Sequence, residues 1–396
     1  MSTLAFVTSA PEVLVKAEMT KVRMLIVIAG ILLAPHAAAG PLDALGFGKP
    51  ESGRIAKYSF TLHETFDPTS VVWSPDARYI ATAATFDGVI HIWDVQSQKI
   101  VATLPGYGNA WFHTVAWSPD GRFLATCAFG KLVVYEVGSK FAVKQFPAAD
   151  QGECMRPVAF SPNGDRVAIA SDLKSVSVVS TSNWKIIQRI DLKRTWGPSV
   201  PAIDDLTYLP RSGDLLIAGS RYDYPTVMGP AGANASAMLW LLHPGNEQAY
   251  RGVLAYDPTC VRGGAATVRR VAVSPGGEYI ATATDTGGGA GACRVTQSVH
   301  VFRVGDWALV AKPLDGIPSG IAFGLTFTHS GRFLVAGMQA RPGTIQIIET
   351  HTFQVSDTIH TKDFVYDIAS APNSDRFAVA TGREIEFWSI ETPKQQ

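Results

Sequence analysis

The sequence predicts an all-β chain folded as a seven-bladed β-propeller of four-stranded antiparallel blades, closed by an N-terminal strand that completes the last blade. Three observations predict it. A turn motif built on Ser-Pro-x-Gly, flanked by apolar residues, recurs seven times. Each copy is followed by a segment rich in β-branched and aromatic residues. One more strand-like segment stands ahead of the first copy, and the last copy has no fourth strand after it.

In chain order, the first feature is an export signal. From Met19, MTKVR is basic, MLIVIAGILLA is apolar and PHAAAG offers small residues for cleavage. An apolar run of about a dozen residues is too short to cross a hydrocarbon core of roughly 30 Å as a helix. A removable signal peptide cut after Ala39 is therefore expected, with no transmembrane span in the mature chain. Residues 1–18 carry Glu12 and Glu18 ahead of the basic segment, so either translation starts at Met19 or the basic region is unusually long. The expected organisation is a signal region at 1–39, a linker at 40–53 and the propeller at 54–396, in a periplasmic or secreted protein.

The copies read VVWSPDARYIATA from Val71, VAWSPDGRFLATC from Val115, VAFSPNGDRVAIA from Val158, LTYLPRSGDLLIAG from Leu206, VAVSPGGEYIATA from Val271, LTFTHSGRFLVAG from Leu325 and IASAPNSDRFAVA from Ile368. Their Pro positions, with His329 standing in for one, lie 43 to 65 residues apart, the period of a blade with loops of varied length. Each copy predicts an inner strand, a tight turn and a second strand whose small residues (Ala81, Ala125, Ala168, Ala281, Ala336) let blades pack closely. Third strands follow, such as VIHIWDV at Val89, VHVFRV at Val299 and IEFWSI at Ile385, then outer strands such as KIVATL and KIIQRI. The segment IAKYSFTLHE from Ile55 has the outer-strand pattern. Pairing it with the last blade removes the free edges of an open array.

The spacing, the Ser-Pro-Asp-Gly turn and the ending Trp93-Asp94 resemble the WD-repeat family, from residue 54 to about 392. Elsewhere the terminal Asp is replaced by Glu136, Ser180, Leu241, Arg303, Glu349 and Ser389, and no Gly-His pair precedes an inner strand. The chain is therefore similar to divergent bacterial, exported propellers, without the Asp-His-Ser/Thr-Trp network of many members. The resemblance implies an interaction scaffold, although related exported propellers include hydrolases and oxidoreductases.

Equal numbers of basic and acidic residues, 34 of each, leave no global field to attract nucleic acid. Removal of residues 1–39 changes this little. With 46% apolar and only 17% charged residues, the chain can bury a large core. Motifs for zinc, haem, phosphate loops or a nucleophile elbow do not occur, so no cofactor, no metal and no catalytic residues are expected. His91 and His300, at equivalent third-strand positions, are expected on the blade surface rather than at a metal.

Two places could hold a partner. In such a propeller, the loops between second and third strands and between blades share one face, and the long insertions fall there over blades 4 to 6. They are 191–204 with Trp196, 219–236 with Arg221, Tyr222, Asp223 and Tyr224, 255–268 with Asp257 and Arg262, 284–297 with Arg294, and 338–343 with Arg341. The second place is the channel mouth, where His113, Arg156, Asp205, Arg270 and Asp367 precede the inner-strand aromatics. They either grip a ligand or pair across adjacent strands. Cys260 with Cys293, and Cys127 with Cys154, are candidate disulfides; Cys127 equally fits a small buried residue. The expected function is an exported, non-enzymatic, monomeric interaction module binding a protein or cell-envelope component. The alternative is a small-ligand or hydrolytic propeller working at the channel mouth.

Overall fold

The computed structural model describes residues 55–83, 88–105, 115–128, 131–147, 157–170, 175–192, 200–223, 234–243, 250–254, 265–287, 299–314, 321–339 and 342–391. They form twenty-eight strands, four to a blade. Blade 1 is β2 (Ser70–Trp73), β3 (Tyr79–Ala83), β4 (Val89–Asp94) and β5 (Lys99–Pro105), and blade 2 is β6 (Val115–Trp117), β7 (Phe123–Ala128), β8 (Lys131–Glu136) and β9 (Ala142–Pro147). Blade 3 holds β10 (Val158–Phe160), β11 (Arg166–Ala170), β12 (Ser175–Ser180) and β13 (Ile186–Asp191). Blade 4 holds β14 (Val200–Tyr208), β15 (Leu215–Asp223), β16 (Asn234–Leu242) and β17 (Tyr250–Leu254). Blade 5 holds β18 (Ala265–Val273), β19 (Tyr279–Gly287), β20 (Val299–Arg303) and β21 (Leu309–Ala311). Blade 6 holds β22 (Ile321–Phe327), β23 (Phe333–Gln339), β24 (Gly343–Glu349) and β25 (Gln354–Thr361). The last blade joins β26 (Val365–Ser370), β27 (Arg376–Thr381) and β28 (Glu384–Ile390) to β1 (Ala56–His63), in the order β1-β28-β27-β26.

The turn motif works through its serine. In blade 1 the Ser74 hydroxyl accepts the Tyr79 amide at 2.8 Å, and Ser118, Ser161 and Ser274 do the same for Phe123, Arg166 and Tyr279. Each turn glycine then takes a left-handed conformation, as at Gly121 with φ of 71°. It also faces the neighbouring turn, because a Cβ at Gly121, Gly164 or Gly331 would meet the proline of the preceding blade at 3.5 to 3.9 Å. One motif thus shapes the hairpin and sets blade spacing.

Alternation along every strand puts apolar side chains on both faces of each sheet. Seven buried clusters result, one per seam between neighbouring blades. The seam between blades 7 and 1 is as apolar as the rest, with Leu62, Val71, Trp73, Ile80 and Phe387 in one cluster. Closure there is double: β1 pairs β28 from Ala56↔Ile390 to His63↔Glu384. Asp357 of blade 6 also accepts the backbone amides of Ile55 and Ala56 at 2.8 and 3.0 Å.

The expected insertions over blades 4 to 6 are in part strand. β14 begins at Val200, β15 runs through Arg221, Tyr222 and Asp223, and β16, β18 and β19 likewise extend into segments expected to be loop. These segments are rich in Ala, Gly and Thr, which blunts the apolar alternation, yet their backbones pair in register from Asp223↔Asn234 onward. A parallel bridge, Ala235↔Ala265, joins blades 4 and 5 into one eight-stranded sheet. Met338 and Gln339 belong to β23 and Gly343 to β24, which narrows the last insertion as well.

Candidate functional site

The inner strands of blades 4 to 7 share a device not seen among the described residues of the first three blades. Each has a β-bulge, between Ile203 and Asp205, Val268 and Arg270, Ala322 and Gly324, and Val365 and Asp367. A bulge re-aims the following side chain. Three of these are the channel-mouth candidates Asp205, Arg270 and Asp367, all buried.

Each reaches into another blade. Asp205 accepts the amide of Val271 in blade 5 at 2.9 Å and the amide of Leu206 at 2.9 Å. Asp367 accepts the amide of Val71 in blade 1 at 2.9 Å and that of Ile368 at 2.9 Å. The guanidinium of Arg270 donates from Nε to the carbonyl of Phe323 in blade 6 at 2.7 Å, and its Nη2 lies 3.7 Å from Asp367 Oδ1 in blade 7. Gly324 lets blades 6 and 7 approach closely: a Cβ there would sit 2.6 Å from Ile368 Cγ1 and 2.9 Å from Ile368 N, so blade 7 presses on bare backbone. Beside this cluster, Asp204 holds the Thr267 hydroxyl at 2.5 Å and Arg269 at 3.5 Å.

Burial governs the electrostatics. Loss of water pushes Asp205 up to about 8 despite two amide hydrogen bonds, with the Asp367 and Asp204 charges adding to the rise. Asp367 is pushed up to about 6 by the same burial, opposed by Arg270 and two amides. Arg270 is lowered to about 10, again by desolvation, with Asp367 resisting. Both carboxylates thus spend oxygens on the backbone of a neighbouring blade, and the cluster staples blades 4, 5, 6, 7 and 1 around the axis. Of its polar atoms, Arg270 Nη1 is buried without a hydrogen-bond partner among the described residues.

A second buried network lies in the seam between blades 7 and 1. Glu64, just past β1, accepts hydrogen bonds from the Thr82 hydroxyl and from Trp93 Nε1, the latter at 2.7 Å, while His91 Nδ1 lies 2.7 Å from its other oxygen. Its own amide donates to Arg383 O in blade 7 at 2.8 Å. This corrects two expectations. His91 and His300 are buried, at 7% and 3% exposure, because their strand positions face the adjoining blade and not solvent. A polar network of the family type does exist in blade 1, with a glutamate from the inter-blade connection supplying the central acceptor.

The family model for the WD domain, G-beta repeat, matches residues 56–94 and 98–134, a stretch that contains this network, blade 1 and the first part of blade 2. The described chain is a seven-bladed β-propeller whose first part is similar to WD repeats. No curated protein matches it. Propellers of this family are, in general, protein-interaction scaffolds and typically non-enzymatic.

In this propeller the structure brings together only part of the expected site set. Asp205, Arg270 and Asp367 form one cluster; Trp196, Arg262, Arg294, Arg341, His113 and Arg156 lie outside the described residues. Arg221, Tyr222 and Asp223 occupy the last three positions of β15. Cys127, on β7, is buried and disulfide-bonded; Cys154, Cys260 and Cys293 lie outside the described residues. Glu64 and Asp357 escaped the sequence reading, since each looks like an ordinary charge beside a turn or on an outer strand. The one available signal was Thr82, His91 and Trp93 recurring on a single face of two paired strands. Among the described residues no helix is long and apolar enough to cross a membrane, and no group of three or more potential metal ligands occurs.

Proposed function

We propose that this WD-repeat propeller is an exported, non-enzymatic interaction module that binds a protein or cell-envelope component through the face over blades 4 to 6. The supporting observation is the eight-stranded sheet of blades 4 and 5. Its nine-residue strands β14, β15, β16, β18 and β19 project beyond the lengths of blades 1 to 3 toward that face. Rigid strands under long connections make a platform on which recognition residues are held in place. The signal-like segment from Met19 supports export, and a disulfide at Cys127 suits an oxidising compartment. Cys154, which precedes blade 3, is the partner we assign to Cys127, and we assign Cys260 to Cys293.

The channel-mouth alternative is weakened by geometry: Asp205 and Asp367 each use both oxygens on backbone amides, leaving little for a ligand. The test has two arms. Protein recovered from the periplasm should begin at Gly40 by N-terminal sequencing, and a cytoplasmic chain starting at residue 1 would refute export. Mature protein with a crosslinkable tag should capture the same envelope component repeatedly, and the R221A/Y222A/D223A variant should lose it at unchanged melting temperature. Capture unaffected by that triple change would refute the assigned face.

A further inference from the structure

The seam between blades 6 and 7 holds a carboxyl group in an apolar setting. Glu386 on β28 is fully buried, at 0% exposure. Alternation puts it on the same side of the strand as Trp388, which packs with Ile345, Ile347 and Val379 in the seam cluster, while Ile385 and Phe387 face blade 1. Glu386 Oε2 accepts the indole N–H of Trp388 at 3.1 Å, and Oε1 is buried without a hydrogen-bond partner among the described residues. Glu64 in the next seam shows the contrast. It too accepts a tryptophan N–H, but a threonine hydroxyl and a histidine engage it as well.

Glu386 sits on the strand where the ring closes. Its cross-strand partners are Val379 on β27, whose side chain offers no donor, and Thr61 on β1. The Thr61 hydroxyl is hydrogen-bonded to Tyr58 Oη at 2.8 Å, and the Tyr58 ring stands edge-on to Trp388 with centroids 5.5 Å apart. The carboxyl group, the indole and the closing strand thus form one cluster. The charged groups on the elements around it begin with Glu384 on β28, whose carboxylate lies 3.6 Å from His63 Nδ1 of β1. Lys57 lies further along β1, and Lys362 and Asp363 lie in the connection from blade 6 to blade 7. Asp357 and Asp367 are engaged with the amides of Ile55, Ala56, Val71 and Ile368. Burial pushes the Glu386 carboxyl up to about 7; the Trp388 hydrogen bond opposes the rise, Glu384 adds to it and the exposed Lys362 resists it.

We propose that Glu386 is a pH-sensitive latch on ring closure: as a neutral acid it lets β1 dock against β28, and as a carboxylate it loosens that docking. A carboxylate with one oxygen unpaired in an apolar seam is costly, and parting β1 from β28 lets water reach it. The docked state holds a proton that the opened state gives up near the ordinary carboxylate value. Docking is therefore strongest below that value and weakens as pH rises toward 7. The latch is independent of the partner face proposed above, because it lies in a different seam and is read without any partner protein.

Hydrogen exchange of the full mature protein, corrected for the pH dependence of the intrinsic rates, reads the opening of β1 and β28. Opening should rise about tenfold between pH 6 and 8, the release of one proton whose docked-state value is near 7. Glu386→Gln, which keeps the shape and the acceptor for Trp388, should remove that rise. Exchange in β1 and β28 that ignores pH overturns the proposal, as does a rise that survives the glutamine change. If the glutamine variant fails to fold, the wild type decides through the Trp388 indole N–H resonance. A shift with its midpoint near pH 7 supports the latch, and a resonance that stays fixed from pH 5 to 9 overturns it.

Discussion

Blades 1 to 3 and blades 4 to 7 are built from the same turn motif, yet they hold together differently. Among the described residues, the inner strands β2, β6 and β10 are three or four residues long and unbulged, whereas β14, β18, β22 and β26 run six to nine residues, each with a bulge. In the first group the seams rest on apolar packing and the proline-glycine contacts between turns. In the second, bulged side chains add staples that cross one seam, or two for Arg270. Extra strand length thus comes with buried ionisable groups, and these are tied to backbone in the next blade.

The sharpest way to break this contrast is Asp367→Ala. It removes the acceptor for Val71 N and leaves Arg270 buried without its carboxylate, a loss expected at about 3–5 kcal/mol by urea denaturation. A loss under about 1 kcal/mol would mean that the staples carry no stability. Glu64→Ala should come next, at about 2–4 kcal/mol, because it strands the Thr82, His91 and Trp93 groups in a closed seam. Gly324→Ala should cost about 1–3 kcal/mol, since the new methyl meets Ile368. The same alanine at Gly138, where nothing lies within 4 Å, serves as its control.

A gentler effect is expected from pH. The folded pKa of Asp205 is raised to about 8, so the folded state holds a proton that the unfolded chain releases near the ordinary carboxylate value. Its contribution is whole below about pH 4 and is lost as pH rises toward 8, with Asp367 adding the same sign up to about 6. The melting temperature should therefore fall between pH 5 and 8.5, and Asp205→Asn should flatten that slope; an unchanged slope would place the effect elsewhere. Smallest of all is Arg211→Ala, which removes an exposed pair with Glu278 at 2.7 Å and should cost less than about 1 kcal/mol.

The ring was legible because its signals are local and repeated. Seven turns can be counted from Pro75 to Pro372, and the orphan segment at Ile55 announces closure. What stayed hidden depends on contacts between blades. Asp205, Arg270 and Asp367 were found by position, but whether they face a ligand or a neighbouring amide is settled by bulges, which leave no mark in the alternation. The strand ends at Arg221 to Asp223 read as loop because alanine, glycine and threonine carry a weak pattern, and backbone pairing with the next strand overrode it. Glu64 could not be placed until the two ends of the chain were brought together.

The clasp of Asp357 on Ile55 and Ala56, with β28 alongside β1, has a consequence for biosynthesis. A ribosome delivers residue 56 first and residue 390 more than three hundred residues later, so the earliest strand must wait for the latest one. Until then both edges of the growing array remain open to the wrong neighbour. A nascent chain of this kind reaches its final state only after β28 has been made, which leaves a window in which a holding chaperone can still act on the open array.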